Sequence, residues 1–546
     1  GQADISIRGG TFEQSGFRVG GVSLYDPQTG HYFAEIPIAP AMLTAPALLT
    51  GANNALYGWN AGTGTVAYAW APVRARGYAS VGMGEFELFR SELYQGYRRE
   101  TGTDGRILAM DAEWATSQSN GSILFGDHDF SRVGTRLQLA GRDTQTDVMA
   151  GYQSKVFGWP NLYTPFNSLE AENLQTVLVV ANHRVNGSGG DYLQLGGYYR
   201  RNKDDYAYDR RLPLGPIHPF QHTTWVYGVG GDARKTIGPW AWVGTFAWIH
   251  DELRSTSLIA GRYREREHLK LALAPERSWN LSDRRLLTVR GGAAFDDTNR
   301  DGSSVSPLLE IAWERTGGVE GWKRIHLGYA KSTQTATYTA LNSAAQTGLF
   351  RGNPNLERQR AHTIEVGTAA VWRGWSVVGT AFVRIDDRLV DWTFKQGVTA
   401  RTANAVDVTT SGLEALVRHQ AGPLELTFGY TLLSKDAEYV TAAVDASFYA
   451  LNYARHRLTS AMVLRLGQGW EVRMDHEARL QADNSLRRQG GDEALLAQLA
   501  VSYTPPRLRE LSVSVQIDNL WDENFEEVPA VPASRRQVSF GLVYRW

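Results

Sequence analysis

Over residues 511–518 the chain alternates without a break. Leu511, Val513, Val515 and Ile517 fall on one face, and Ser512, Ser514, Gln516 and Asp518 on the other. The pattern returns with Val538, Phe540, Leu542, Tyr544 and Trp546 set against Gln537, Ser539, Gly541 and Arg545. A period of two marks a strand with one apolar and one polar face. In a soluble sandwich the apolar face needs a second sheet, and an exposed aromatic carboxy terminus is unusual. In a transmembrane β-barrel that face meets lipid, and tyrosine and tryptophan belong at the interfaces. The alternation therefore predicts an all-β transmembrane barrel in a bacterial outer membrane.

Length and composition fit. A chain of 546 residues is either several domains or one very large barrel. The net charge of −1 leaves no basic field for nucleic acid. Cysteine is absent, which excludes disulfides, thiol catalysis and cysteine-ligated metals and suits an oxidising compartment. No apolar run reaches the roughly 18 residues of a membrane helix; the best stretch, 36–49, is broken by Pro37, Pro40 and Pro46. A mean hydropathy of −0.33 is compatible with a barrel, because only alternate residues face lipid. No leader is read at the start, so the sequence is expected to be a mature chain or one lacking more than its leader.

From about residue 77 onward, long alternating stretches are separated by two kinds of connection. Short clusters of turn residues fall near 101–105, 141–144, 186–190, 237–239, 275–283, 317–321, 373–374, 421–423, 467–469 and 505–508. Longer polar connections fall near 87–90, 117–127, 157–172, 204–222, 251–263, 295–304, 333–358, 387–402, 434–452, 481–492 and 521–534. Hairpin logic then gives about 22 antiparallel strands, with short turns periplasmic and long loops outside. Trp240, Trp242, Trp375 and Trp470 beside short turns would form a periplasmic aromatic belt. Residues 1–75 differ, being rich in Gly, Ala and Pro with only short alternating runs. A lumen this wide calls for a plug, and the expected organisation is a partial plug at 1–75 inside a barrel at 76–546.

Four motifs then occur in order: Ile7-Arg8-Gly9-Gly10 followed by Phe17-Arg18-Val19-Gly20-Gly21-Val22; Tyr57-Gly58-Trp59-Asn60-Ala61-Gly62-Thr63-Gly64-Thr65-Val66; Gly352-Asn353-Pro354-Asn355-Leu356-Glu357; and Asn519-Leu520-Trp521-Asp522-Glu523 with Arg535 and Trp546. Over essentially the whole chain this resembles the TonB-dependent outer-membrane receptors. The resemblance implies a plugged barrel, a TonB-type energy transducer as partner where a Ton box precedes the plug, and outer-membrane lipid and lipopolysaccharide as surroundings. There are departures. The sequence opens midway through the family's plug pattern, and Gly20 stands where the family usually has Asp. Ala45-Pro46-Ala47 and Thr50 stand where acidic and arginine residues usually lie. A plug stripped of these charges is expected to touch the barrel wall through fewer polar contacts.

Asp26-Pro27-Gln28-Thr29-Gly30-His31-Tyr32 resembles the apical plug loop of cobalamin-type members. Gln28, Thr29, His31 and Tyr32 are therefore candidate ligand contacts; the bland alternative is a turn begun by Asp-Pro and completed by Gly30. Asp297, Asn299 and Asp301, followed by Gly302, match the opening of a calcium loop, although Leu308 replaces the closing glutamate. Ca2+ is the cofactor this spacing admits, against a solvated Asp/Asn turn. Asp204, Asp205 and Asp209 form a second acidic stretch. The run from Arg262 to Glu267 alternates charge like a solvated face. No catalytic constellation is present: there is neither HExxH nor GxSxG. The leading expectation is energised uptake of a scarce bulky ligand, cobalamin or an iron chelate. The alternatives are a structural or partner-binding barrel within an outer-membrane complex, and an outer-membrane hydrolase, for which no spaced nucleophile and base exist.

Overall fold

The structure, a computed structural model, describes residues 4–101, 105–163, 165–212, 214, 218–317, 320–439 and 442–546. Residues 102–104 and 318–319 of two expected turns, and 213, 215–217 and 440–441 of two expected loops, lie outside the described residues. The remaining chain forms a closed antiparallel barrel of 22 strands, from Gly77–Gly84 to Gln537–Arg545, with neighbours in sequence paired as neighbours in space. Two further two-residue strands, Phe350–Arg351 and Ala446–Ser447, are outer-loop segments that join the rim. Pairing of the first strand with the last closes the wall, with Tyr78 opposite Arg545 and Phe540 opposite Met83.

The alternation sorts residues as expected. Leu271, Leu273, Ile311, Leu327, Val366, Leu413 and Phe540 stand exposed on the outer wall, where a belt of lipid would cover them. Trp240, Trp242 and Trp470 are likewise exposed beside short turns. Leu327 lies midway along Gly321–Gln334. Placing arginine there is expected to destabilise the inserted barrel by about 2–4 kcal/mol. Urea unfolding in lipid vesicles checks this; an unchanged midpoint would remove Leu327 from the lipid belt.

Three connections differ from expectation, the first being the outer loop expected at 87–90, which is a tight turn because Gly84 pairs with Leu88. Glu265–Ser282 continues as strand through Pro275. The proline lacks a ladder amide, and pairing toward the next strand skips Ala274 and Pro275, but Trp242 opposite Pro275 holds the other side. The expected outer loop at 295–304 is a tight hairpin, because strand pairing runs out to Thr298 opposite Gly302.

The amino-terminal segment sits in the lumen as a four-stranded sheet: β1 (Ser15–Val19), β2 (Val22–Leu24), β3 (Ala47–Leu49) and β4 (Gly64–Tyr68), in the order β2-β1-β4-β3, with helix α1 (Gly51–Tyr57) between β3 and β4. β1 runs antiparallel to β2 and parallel to β4. Phe17, Val19, Val22, Leu24, Met42, Trp59 and Trp70 make one core with the wall residues Met149, Leu178, Val180, Val226 and Ile249.

Charged contacts between plug and wall also persist, contrary to the expectation of a stripped plug. Arg8 donates to Glu365 at 2.6 Å and to Glu414 at 3.0 Å, and Arg18 pairs with Asp232. Gln14 donates to Asp386 at 3.0 Å. Lys270 and Lys435 reach in from the wall to the plug carbonyl oxygens of Ala55, Gly58 and Gly9. Charges elsewhere on the plug and the wall make these contacts in place of those missing near residues 45–50.

The packing is one-sided. Inward groups on one wall, among them Asp111, Arg136, Asp147, Arg200, Asp251, Arg266 and Arg384, are buried against the plug. On the other wall the side chains of Arg457, Arg465 and Arg473 remain 48%, 53% and 59% exposed.

Candidate functional site

The apex of the plug is the turn at 26–32, and its geometry follows from Asp26. One carboxylate oxygen accepts from the Gln28 amide at 3.2 Å. The other accepts from the Gly30 amide at 2.9 Å, the Tyr32 amide at 3.2 Å and the Thr29 hydroxyl at 3.0 Å. An aspartate that satisfies several following amides is the usual way to hold such a turn. Gly30 has φ +80°, and a Cβ there would lie 3.0 Å from Glu13 Cγ, so this position favours glycine on both counts.

An outer loop grips the apex from above. The short helix α2 (Tyr338–Asn342) begins with two amides that donate to plug carbonyls: Tyr338 to Pro27 at 2.8 Å and Thr339 to Gln28 at 2.8 Å. Its tyrosine ring lies 3.9 Å from the Arg266 guanidinium carbon, and its hydroxyl donates to Asp251 at 2.7 Å. Arg266 donates to Asp251 at 3.1 Å and to the Ala336 carbonyl at 2.8 Å. The Gly352-Asn353-Pro354 motif supports α2 from behind, with the Asn353 amide on the Ala340 carbonyl at 2.7 Å.

Between apex and outer loops lies a cavity of about 510 Å³. Gln28, Thr29, His31 and Tyr32 all line it, alongside Tyr163, Tyr206, Tyr208, Phe220, Phe350, Trp392 and Tyr449. Polar groups are few and held in place. Gln28 donates to Asp204 at 2.6 Å; the hydroxyls of Tyr32 and Tyr163 donate to Glu172 at 2.8 and 2.7 Å. Arg401 donates to the Tyr163 carbonyl, and its guanidinium carbon lies 4.4 Å from the ring of Phe448 and 4.8 Å from that of Tyr449. His31 stacks on Phe12 at 3.7 Å and bonds Asp4 at 2.9 Å. An aromatic box with a few fixed polar groups suits a large amphipathic ligand.

Beneath His31 lies Glu13, buried, with one carboxylate oxygen lacking any partner and the other 3.4 Å from the Trp392 indole nitrogen. Burial pushes its carboxyl up to about 7, with nearby His31 pulling the other way. The native state therefore holds a proton that the unfolded chain releases above its ordinary carboxylate range. This stabilisation is complete below about pH 4.5 and is lost as pH rises through 7, a change of at most about 3 kcal/mol. Thermal unfolding in detergent is expected to show greater stability at pH 5 than at pH 8, and Glu13→Gln to flatten that difference; a pH dependence that survives the substitution refutes the assignment.

The acidic stretches resolve differently. Asp297 pairs with Ser303 in the ladder and shares the outer face with Phe295. Asn299 and Asp301 sit at the hairpin tip, where Asn299 accepts from the Glu267 amide at 3.2 Å and Asp301 pairs with Arg300. Among the described residues no group of three or more His, Cys, Asp or Glu is arranged to hold a metal ion. Sequence reading missed Glu172, Asp204, Tyr206, Trp392 and Arg401 as cavity residues, having placed all five in or at the ends of loops. The available signal was alternation: Arg200, Asn202, Asp204 and Tyr206 keep the inward period to the end of Tyr192–Ala207.

The barrel pattern described as TonB dependent receptor-like matches residues 50–520. No curated protein matches the chain. Among solved structures, the siderophore receptor PirA from Pseudomonas aeruginosa superposes with a TM-score of 0.71 at 15% identity, over 99% of this chain and 93% of that one. The FrpB iron transporter from Neisseria meningitidis gives 0.75 at 10% identity, over 99% and 92%. The copper transporter OprC gives 0.74 at 12%, over 98% and 93%. These likenesses concern the fold. With the family pattern covering most of the sequence and the plugged 22-strand barrel in place, the chain belongs to the TonB-dependent receptors of the outer membrane, which are transporters rather than enzymes.

Proposed function

We propose that this protein binds a bulky amphipathic ligand, a corrinoid such as cobalamin or an iron chelate, in the cavity between residues 26–32 and the outer loops. A TonB-type transducer would then supply the work that moves the plug and releases the ligand inward. The observation that carries this reading is the interlock of plug and loop. The Gln28 and Pro27 carbonyls hold α2 by its first two amides, and Gln28 on the plug and Thr339 on α2 line the same cavity. Occupancy of the cavity is thereby linked mechanically to the plug. The superposed siderophore receptor and iron transporter are in keeping with an iron chelate among these cargoes.

Cells that lack other uptake routes, expressing this chain with and without the transducer, test the proposal with radiolabelled cobalamin and a ferric chelate. Uptake of one of them is expected to require the transducer. Trp392→Ala should lower it by roughly tenfold or more, as loss of a buried aromatic anchor does. Uptake indifferent to the transducer, or to Trp392, would reject the proposal.

A further inference from the structure

The cavity wall below Tyr32 sets two carboxylates where the nearest bases are the imidazoles of His31 and His222, the latter directly opposite Asp204. Glu172 and Asp204 are each 2% exposed and come from paired strands, with Glu172 opposite Tyr206 and Leu174 opposite Asp204. They share one hydroxyl: Tyr32 Oη is 2.8 Å from Glu172 Oε1 and 3.4 Å from Asp204 Oδ2. Neither carboxylate makes an ion pair among the described residues. The basic groups around them bond other partners, with His222 Nδ1 on the Ser255 hydroxyl at 2.8 Å and His31 on Asp4 at 2.9 Å, although Arg200 Nε has no acceptor among the described residues. Arg200 donates to the carbonyls of Tyr25 and Tyr32, Lys155 binds Glu35 at 2.6 Å, and Arg401 serves the Tyr163 carbonyl.

Three oxygens in this wall have no donor among the described residues: Glu172 Oε2, Asp204 Oδ1 and Gln28 Oε1. Buried acceptors left unsatisfied are costly, and buried carboxylates without a cation more so. A proton shared by the two acids supplies one donor. An ammonium supplies three, matching the number of orphan oxygens, and the neighbouring rings of Tyr206 and Phe220 offer faces that favour a cation.

We infer that the cavity takes a ligand bearing an organic ammonium group, seated against Glu172, Asp204 and Gln28 with its apolar body over Tyr206 and Phe220. The inference rests on this cavity being the binding site proposed above, and it narrows the cargo to chelates, corrinoids or conjugates that present such a cation. Fully anionic chelates are disfavoured by the same wall. A bare metal ion lacks a ligand cluster here among the described residues.

A matched set of probes separates the possibilities: 9-(aminomethyl)acridine, whose primary amine is an ammonium at neutral pH; 9-methylacridine, neutral; and acridine-9-carboxylate, anionic. Binding to the detergent-solubilised full chain is read by fluorescence titration, with Trp392→Ala reporting whether a probe sits in the cavity. The aminomethyl probe is expected to bind roughly tenfold more tightly than the neutral acridine, with the carboxylate weakest. Glu172→Gln with Asp204→Asn should erase that preference while leaving the neutral acridine within about twofold. The single Glu172→Gln serves if the double variant loses the heat-shifted gel mobility of a folded barrel. The neutral acridine or the carboxylate binding as tightly as the cation, in a Trp392-dependent way, overturns the ammonium while leaving the site intact. No Trp392-dependent binding of any probe overturns both readings. Copper(II) alone displacing the aminomethyl probe through the same two acids would replace the ammonium with a metal and overturn the inference.

Discussion

Arg266→Ala is expected to release the 335–358 loop from the mouth while the barrel wall stays closed. Arg266 is fully buried and joins three parts: Asp251 on the neighbouring strand, the Ala336 carbonyl at the start of the loop, and the ring of Tyr338. Removing it leaves Asp251 with His268 at 3.0 Å and the Tyr338 hydroxyl as partners, and with no arginine. Breaking a buried pair by deleting one partner costs about 3–5 kcal/mol, far more than an exposed pair, because the remaining charge has no water. Arg266→Lys should recover little, since an ammonium cannot reach a carboxylate, a carbonyl and a ring face in one planar geometry. Hydrogen exchange on the detergent-solubilised protein is the measurement. Amides of 336–343 should lose protection, those of Glu265–Ser282 should keep it, and ligand retention should fall with the loop. Unchanged protection at 336–343 would mean that α2 is held by Pro27 and Gln28 alone.

The second large effect concerns the seat of the plug. Arg136 is buried, bonds Asp111 at 2.6 and 3.0 Å, approaches Asp147 at 3.4 Å, and donates to the plug carbonyls of Met42 at 3.1 Å and Ala71 at 2.8 Å. Arg136→Ala strands two buried carboxylates and frees the segment that leads out of the plug; a loss of about 3–5 kcal/mol is expected. Arg473→Ala is the matched control. That arginine also faces the lumen and also bonds a carboxylate, Asp475 at 2.7 Å, but its side chain is 59% exposed, so the change should fall within about 0.5 kcal/mol. Limited proteolysis between residues 40 and 76 reads the difference. Equal sensitivity in the two variants would contradict the one-sided packing of the plug.

Much of this architecture is legible in residues alone, for a physical reason. A barrel strand faces lipid and lumen in turn, so alternation is imposed on every strand, and turn residues mark where it stops. Strand number follows from counting turns. The ends of strands are less legible. The inward face near the outer rim is polar and aromatic, and residues such as Asp204, Tyr206, Trp392 and Arg401 read as loop when only the apolar face is followed. At Asp204 and Tyr206 the period of two is nevertheless intact. The turn at 26–32 was found from Asp-Pro and Gly30, because the backbone conformation they impose is local. The partners of that turn were not, since Glu172, Asp204, Trp392 and Arg401 come from strands far apart in sequence and only closure of the wall brings them together. The Asp297-Thr298-Asn299 spacing describes a hairpin tip, and the ladder out to Gly302 was hidden by its polar composition.

Closure itself has a consequence in time. The first barrel strand, Gly77–Gly84, is complete early in synthesis, yet its partner is Gln537–Arg545, and the Gly77 amide and carbonyl await those of Trp546 at 2.9 and 3.0 Å. Until that last strand exists, the sheet has two raw edges, each a template for pairing with another chain. Contacts between residues so distant in sequence form slowly. The unclosed molecule must therefore be kept from neighbours until the whole wall is in place. Sealing is then a single late event, at the seam where the plug's exit meets Trp546.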